Sequence, residues 1–272
     1  MWERFVMRNR DYNIIELMAI IAAREIEDRA VLYIGTGIPM LAASLAQHMH
    51  APNIIPVFEA GGVAPQMPTL PTSVGCSRTT YRAIRTCDMP EIFEMAQLGI
   101  AHYAFLGGAQ VDKYGNINST VKGQYEAPSV RWPGSGGANA FGSLCWRTMI
   151  IINHEKRRFI EKVDFITTPG YIDGPGAREK AGLPPGTGPY RVFTDKALLD
   201  FEEKTKRMRL IGLLPGIRLD DIIENTGFEL LIKEDLKQLP PPTDEELKVL
   251  REKVDPFRIV LSRGDKMNNE EN

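Results

Sequence analysis

Short apolar runs that end in glycine recur along this sequence, and that recurrence constrains the fold more than any other feature. Val31-Leu32-Tyr33-Ile34 runs into Gly35-Thr36-Gly37, Asn53 to Phe58 into Glu59-Ala60-Gly61-Gly62, and Ala101 to Leu106 into Gly107-Gly108. Such runs read as strands, and glycine ends them with the backbone freedom a tight turn needs. Between them, apolar residues return at helical spacing. Ile14, Ile15, Met18, Ile21, Ala22 and Ile26 predict a helix over 11–28. Pro39, Leu41, Ala42, Leu45 and Met49 predict a second over 39–49, and a third is expected at 90–98. Further strands are expected at 148–153, 191–195 and 207–214, and a short helix at 220–225 closed by Gly227. A charged helix at 243–253 follows the hinge Pro240-Pro241-Pro242. Alternating strands and helices predict an α/β fold, an open, mostly parallel sheet flanked by helices, with ligands beyond the carboxyl ends of the strands. One domain is expected over 1–256 and a tail over 257–272, its last eight or so residues rich in Asn and Glu and expected to be disordered.

Charge and cysteine content narrow the function classes. Lys plus Arg total 33 against Asp plus Glu 35, a net −2, so no bulk field draws the chain to nucleic acid or an anionic membrane. No apolar run approaches the roughly 18 residues of a membrane span. The first ten residues lack the apolar core and cleavage site of a signal peptide, so a cytoplasmic location is expected. Cys76, Cys87 and Cys145 form no C-x-x-C pair, which predicts neither a disulfide framework nor a zinc cage. His48 and His50, two residues apart, do not share a helix face, so no metal site is expected there. No Gly-x-Ser-x-Gly elbow is present, and Cys76 reads more simply as an inert thiol than as a nucleophile.

Glu59 stands out on residue grounds alone. An acid that ends an apolar strand and precedes Ala60-Gly61-Gly62 is poorly placed as a surface charge, and its burial without a partner would be costly. The backbone of Gly61 and Gly62 can receive a carboxylate or leave room for a substrate, and the alternative is a carboxylate that merely holds the turn. Gly107-Gly108-Ala109-Gln110 and Gly134-Ser135-Gly136-Gly137 are further glycine clusters able to present N–H groups to a ligand oxygen. Both lack the Lys-Ser/Thr ending of a P-loop. Gly35-Thr36-Gly37-Ile38-Pro39-Met40 is a broken dinucleotide fingerprint, with Glu59 where a ribose-binding acid would stand. His154-Glu155-Lys156-Arg157-Arg158 reads as a solvated basic turn, a contact with another chain, or a cationic patch for ligand phosphates.

The ordered series of these motifs resembles the family I CoA-transferases, and within them the B subunits of the glutaconate CoA-transferase type. It comprises Gly-Thr-Gly-Ile-Pro, Glu-Ala-Gly after an apolar strand, Gly-Gly-Ala-Gln-Val-Asp-x-Tyr-Gly-Asn-x-Asn-Ser-Thr, and Gly-Ser-Gly-Gly-Ala-Asn. It continues through 154–159, Pro169 to Gly176, Thr194-Asp195-Lys196 and Glu224 to Phe228, covering about residues 11 to 256. The resemblance implies that Glu59 is the covalent nucleophile, attacking an acyl-CoA thioester. The family's Glu-Ser-Gly or Glu-Asn-Gly reads Glu59-Ala60-Gly61 here, which removes a hydrogen-bonding side chain beside the nucleophile. Relatives on this fold that decarboxylate or hydrolyse CoA thioesters lack the glutamate. Oxyanion and CoA contacts are expected among Gly61, Gly62, Gly107, Gly108, Ala109, Gln110, Gly136 and Gly137. The resemblance further implies an A subunit as partner, acyl-CoA and a free carboxylic acid as substrates, and no metal or cofactor beyond coenzyme A itself as a substrate. Two other readings stay open: an acyl-CoA hydrolase or decarboxylase on the same scaffold, and a non-catalytic nucleotide-binding or scaffold subunit.

Overall fold

The computed structural model describes residues 11–264; the expectation for the last eight residues lies outside that range. In chain order the first elements are helix α1 (Ile14–Arg24), strand β1 (Val31–Tyr33), α2 (Ile38–His48), β2 (Ile55–Val57) and β3 (Gly62–Val63). A 3-10 turn (Ser77–Thr80), β4 (Arg85–Thr86), α3 (Met89–Gln97) and β5 (Tyr103–Leu106) follow. Two small hairpins come next, β6 (Gln110–Val111) with β7 (Ile117–Asn118) and β8 (Val121–Lys122) with β9 (Val130–Arg131), and then α4 (Ala138–Leu144). The remainder is β10 (Arg147–Ile151), α5 (Ala177–Lys180), β11 (Gly188–Phe193), β12 (Ala197–Phe201), β13 (Met208–Leu213), α6 (Leu219–Glu224), β14 (Leu231–Gln238) and α7 (Asp244–Val249). The described residues divide into two compact units, one of residues 11–95 with 240–264, the other of residues 96–239.

In the first unit β1 and β2 pair in parallel, and β2, β3 and β4 run antiparallel. Helix α1 begins where Asn13 and Glu16 cap each other: Glu16 N–H donates to Asn13 Oδ1 and Asn13 N–H to Glu16 Oε2. Its apolar residues surround the helix rather than forming one stripe, with Leu17, Ala19, Ile20 and Ala22 all buried. The C-terminal segment returns to this helix. Thr243 and Glu246 box the start of α7, and Arg24 grips Glu246 through Nε and Nη2 at 2.7 and 2.6 Å. Arg251 holds the buried Glu16 in the same forked way.

In the second unit β5, β10 and β11 are parallel, β11, β12 and β13 form an antiparallel meander, and β14 joins β13 in parallel. The α/β class is as expected, with pairing that is mixed. The meander arises at Thr194, whose side-chain oxygen accepts from the N–H of Lys196 and Ala197 and closes a two-residue turn. Ile150, Ile152, Val192, Leu199, Leu210 and Ile222 make the core with Phe159. Among the described residues no helix is long and apolar enough to cross a membrane.

Candidate active site

Glu59 lies in a hairpin loop at the carboxyl end of β2. The Phe58 N–H donates to Gly62 O and the Gly61 N–H to Phe58 O, both at 2.9 Å, so Glu59, Ala60 and Gly61 make a three-residue loop. Gly61 takes the positive-φ position at 117°, which an L side chain rarely adopts. Glycine is needed there a second way. A Cβ on Gly61 would fall 2.0 Å from Cys87 O, and one on Gly62 only 1.7 Å from Thr79 O. The room beside these glycines is therefore filled by the chain's own carbonyls, and Gly61 N–H is used inside the loop. Gly61 and Gly62 act here by shaping the loop. Glu59 itself is half-buried and makes no hydrogen bond or ion pair with any described residue.

The first glycine turn stands next to it. Ile34 N–H donates to Val57 O at 3.1 Å, which sets Gly35-Thr36-Gly37 beside the Glu59 loop at the carboxyl ends of β1 and β2. Nothing lies within 4 Å of where a Cβ on Gly35 or Gly37 would sit. Gly37 opens helix α2 with no side chain capping it; Pro39 has no N–H and Met40 N–H donates to Gly37 O at 3.2 Å, so Ile38 N–H is the donor of the first turn left for another acceptor. In the sequence this turn reads as a tight strand end, a broken nucleotide fingerprint and the first motif of the family series; its register with the glutamate loop emerges from the pairing of β1 with β2.

In the second unit Gly107 and Gly108 follow β5, and Gly107 is exposed. Ala109 N–H donates to Asn118 O at 2.9 Å. Gln110 is buried, accepts from Asn118 Nδ2 at 2.6 Å and donates to Asp164 at 2.8 Å. These two residues are occupied in holding the loop. Asp112 and Asn116 do the same further on: Asp112 Oδ1 accepts from the N–H of Tyr114 and Asn116, and Asn116 Oδ1 from Gly170 and Ile172. Gly136, at φ 49° in open space, and Gly137, the residue before α4, form the other cluster.

A match to the coenzyme A transferase family spans residues 15–225. The chain belongs to that family. It is 41% identical to the B subunit of glutaconate CoA-transferase from Acidaminococcus fermentans over 258 residues, covering 92% of this chain and 96% of that protein. It is 36% identical to the B subunit of 3-oxoadipate CoA-transferase from Pseudomonas knackmussii, over 88% of this chain and 92% of the relative. The crystal structure of glutaconate coenzyme A-transferase from Acidaminococcus fermentans superimposes with a TM-score of 0.88 at 38% identity, covering 92% of this chain and 98% of that one. This is a CoA-transferase chain, similar over nearly its whole length to B subunits.

Within this CoA-transferase the run 154–158 is not a simple solvated basic turn. His154 is wholly buried, its ring nitrogens 3.2 Å from Thr194 Oγ1 and 3.0 Å from Thr226 Oγ1, and it stacks on Phe159 at 4.1 Å. Glu155 pairs with both Arg157 and Arg158. Burial, with a smaller push from the Lys196 charge, lowers the His154 pKa from 6.5 to about 3. Between those values the unfolded chain takes up a proton that the folded chain refuses. Stability from this residue is thus complete above pH 6.5 and falls by about 1.4 kcal/mol per pH unit below it, roughly 2 kcal/mol by pH 5. His154→Gln, which does not titrate, is expected to flatten that part of the pH profile of urea unfolding. An unchanged slope in the variant would remove His154 as its cause.

The histidines at 48 and 50 line a cavity of about 410 Å³ in the first unit with Arg24, Glu245 and Lys253, and none of the candidate site residues. Each has one ring nitrogen on a backbone carbonyl, Ser44 O and Ile26 O. Among the described residues no three His, Cys, Asp or Glu side chains converge as a metal site.

Proposed function

We propose that this chain is the B subunit of an acyl-CoA:carboxylate CoA-transferase in which Glu59 forms a glutamyl-CoA thioester. The observation that carries the reading is the Glu59 carboxylate itself, presented on a rigid loop at a strand's carboxyl end and engaged by no described group of its own unit. A carboxylate nucleophile needs no general base, which suits a site without a Ser–His or Cys–His pair. Its oxygen adds to the thioester carbonyl, the C–S bond breaks, and a mixed anhydride and CoA thiolate result. The thiolate then attacks the glutamyl carbonyl of the anhydride and releases the donor acid, leaving CoA on Glu59. An acceptor carboxylate reverses both steps, so the kinetics are ping-pong.

Each tetrahedral intermediate carries an oxyanion that oriented N–H groups would stabilise. Ile38 N–H at the uncapped start of α2, beside Gly35 and Gly37, is one such donor on the same unit, and a helix N-terminus favours negative charge. Gly107, Gly108, Gly136 and Gly137 are the backbone positions assigned to coenzyme A, which enters as substrate; no other cofactor is invoked. The A subunit is the partner the B-subunit likeness implies. The acids that name the two relatives, glutaconate and 3-oxoadipate, both carry two carboxylates, and a dicarboxylic acyl group is the substrate class proposed here.

The test uses the complex with its A subunit. After incubation with an acyl-CoA, borohydride should reduce the thioester at Glu59 to an alcohol, read as a lighter Glu59 peptide that appears only when acyl-CoA was present. An unaltered peptide from a complex that consumes acyl-CoA would instead support hydrolysis or decarboxylation.

A further inference from the structure

Between Glu59 and Asp88 the sequence holds no acidic residue and three arginines, Arg78, Arg82 and Arg85. Their surroundings differ. Arg85 is matched by Glu91, Nη2 to Oε1 at 2.6 Å. Arg82 is exposed and lies over the ring of Tyr81, 5.5 Å from its centroid. Arg78 is half-buried in the 3-10 turn, donates from Nη1 to Leu70 O at 2.9 Å, and pairs with no acidic side chain among the described residues.

The turn that carries Arg78 is rigid and abuts the glutamate loop. Thr79 is 1% exposed; its hydroxyl donates to Cys76 O at 2.8 Å and lies 3.3 Å from Val74 O, and its N–H donates to Cys76 O at 2.9 Å. The carbonyl of the same residue occupies the space where Gly62 would carry a Cβ. Arg78 is therefore one residue from a direct backbone contact with the loop that holds Glu59, on a segment with little freedom to move away.

We propose that Arg78 is a specificity-determining residue whose guanidinium holds the unreacting carboxylate of a dicarboxylic acyl group while the other end reacts at Glu59. The inference rests on the reading of Glu59 as nucleophile and adds the residue that selects the substrate. A partly desolvated guanidinium without a counter-charge favours an incoming anion, and its planar fork matches a carboxylate with two parallel hydrogen bonds. One cation serves both half-reactions, because in a ping-pong cycle donor and acceptor acids occupy the same place in turn.

The experiment compares glutaryl-CoA with butyryl-CoA as donors to acetate, using the complex with its A subunit. The same comparison is made with glutarate and butyrate as acceptors from acetyl-CoA. Wild type should prefer the dicarboxylic member of each pair. Arg78→Met should lower kcat/KM for glutaryl-CoA by roughly 10- to 100-fold and change butyryl-CoA little, so that the preference collapses. Arg78→Lys should fall between, keeping the charge and losing the fork, and Arg82→Met should leave the preference unchanged. A wild type with no preference, or equal losses on both donors in Arg78→Met, would overturn the assignment; the second result would place Arg78 on the CoA moiety or in the fold. Acyl-CoA consumption reads this without reference to Glu59, and borohydride trapping in wild type reads the nucleophile separately, so either idea can fail alone.

Discussion

Glu59→Gln is expected to abolish CoA transfer while leaving the folded chain as stable as before. The amide has no anionic oxygen to add to a thioester, and loss of a covalent nucleophile typically removes several orders of magnitude, here roughly 10⁴-fold or more in kcat. The fold should not register the change. The carboxylate makes no hydrogen bond or ion pair with any described residue, and the loop is closed by backbone bonds of Phe58, Gly61 and Gly62. A substitution free of such contacts shifts stability by about 0.5 kcal/mol or less. Glu59→Asp separates chemistry from reach: it keeps the carboxylate and withdraws it by one methylene, for an expected loss of about 100-fold. Steady-state transfer by the complex, with thermal unfolding of each variant, checks all three statements. Glu59→Gln retaining a tenth of wild-type activity would sink the nucleophile, and a large drop in its unfolding midpoint would show that the carboxylate holds the loop.

The parts of this design that are legible in the sequence are those set by local physics. Strands β1, β2 and β5 show as apolar runs stopped by glycine, and helix α1 begins near the expected place because Asn13 and Glu16 form a cap three residues apart. Elements that depend on distant partners are not legible. β3 and β4 contribute two residues each and exist because Gly61 and Gly62 lie against Cys87 and Thr79. β14, Leu-Ile-Lys-Glu-Asp-Leu-Lys-Gln, is an exposed edge strand with no alternating apolar face to reveal it. The site divides the same way. Glu59 can be singled out from its position at the end of a strand. The demand for glycine at 61 and 62 is easily mistaken for room left for a ligand, since the carbonyls that fill it come from residues 79 and 87. Arg78 carries no signal, because its lack of an acidic partner shows only once Arg85 is seen to hold Glu91. His154 is disguised by its neighbours in sequence: Thr194 and Thr226, far along the chain, bury it among charges that stay outside.

Arg178→Met should give the largest loss of stability in the second unit. In the sequence Arg178 is one cationic residue in a glycine- and proline-rich stretch, yet its side chain is among the largest that are fully buried. No carboxylate hydrogen-bonds or ion-pairs with it among the described residues. Nη1 donates to Pro169 O and Gly170 O at 2.9 and 2.8 Å, and Nη2 to Gly142 O, Ser143 O and Thr187 Oγ1 at 3.2, 3.1 and 2.8 Å. One planar cation thus ties the end of α4, the loop at 169–170 and the turn at 184–187, places the chain must otherwise bring together against the entropy of three irregular segments. Burial lowers its pKa, the direction expected of a charge removed from water, and the ring of acceptors is what makes a buried cation tolerable. Methionine keeps much of the volume and leaves four carbonyls and a hydroxyl short of a donor. The expected cost is about 3–5 kcal/mol, the range for breaking a buried charged network from one side. For a chain of this size that corresponds to an unfolding midpoint roughly 10 °C lower. Arg178→Lys should recover only part of the loss, because an ammonium offers three donors from a single point and cannot face all three segments. Chemical denaturation of both variants measures this. An unfolding free energy for Arg178→Met within about 1 kcal/mol of wild type would show that hydration of the freed carbonyls replaces the guanidinium at little cost.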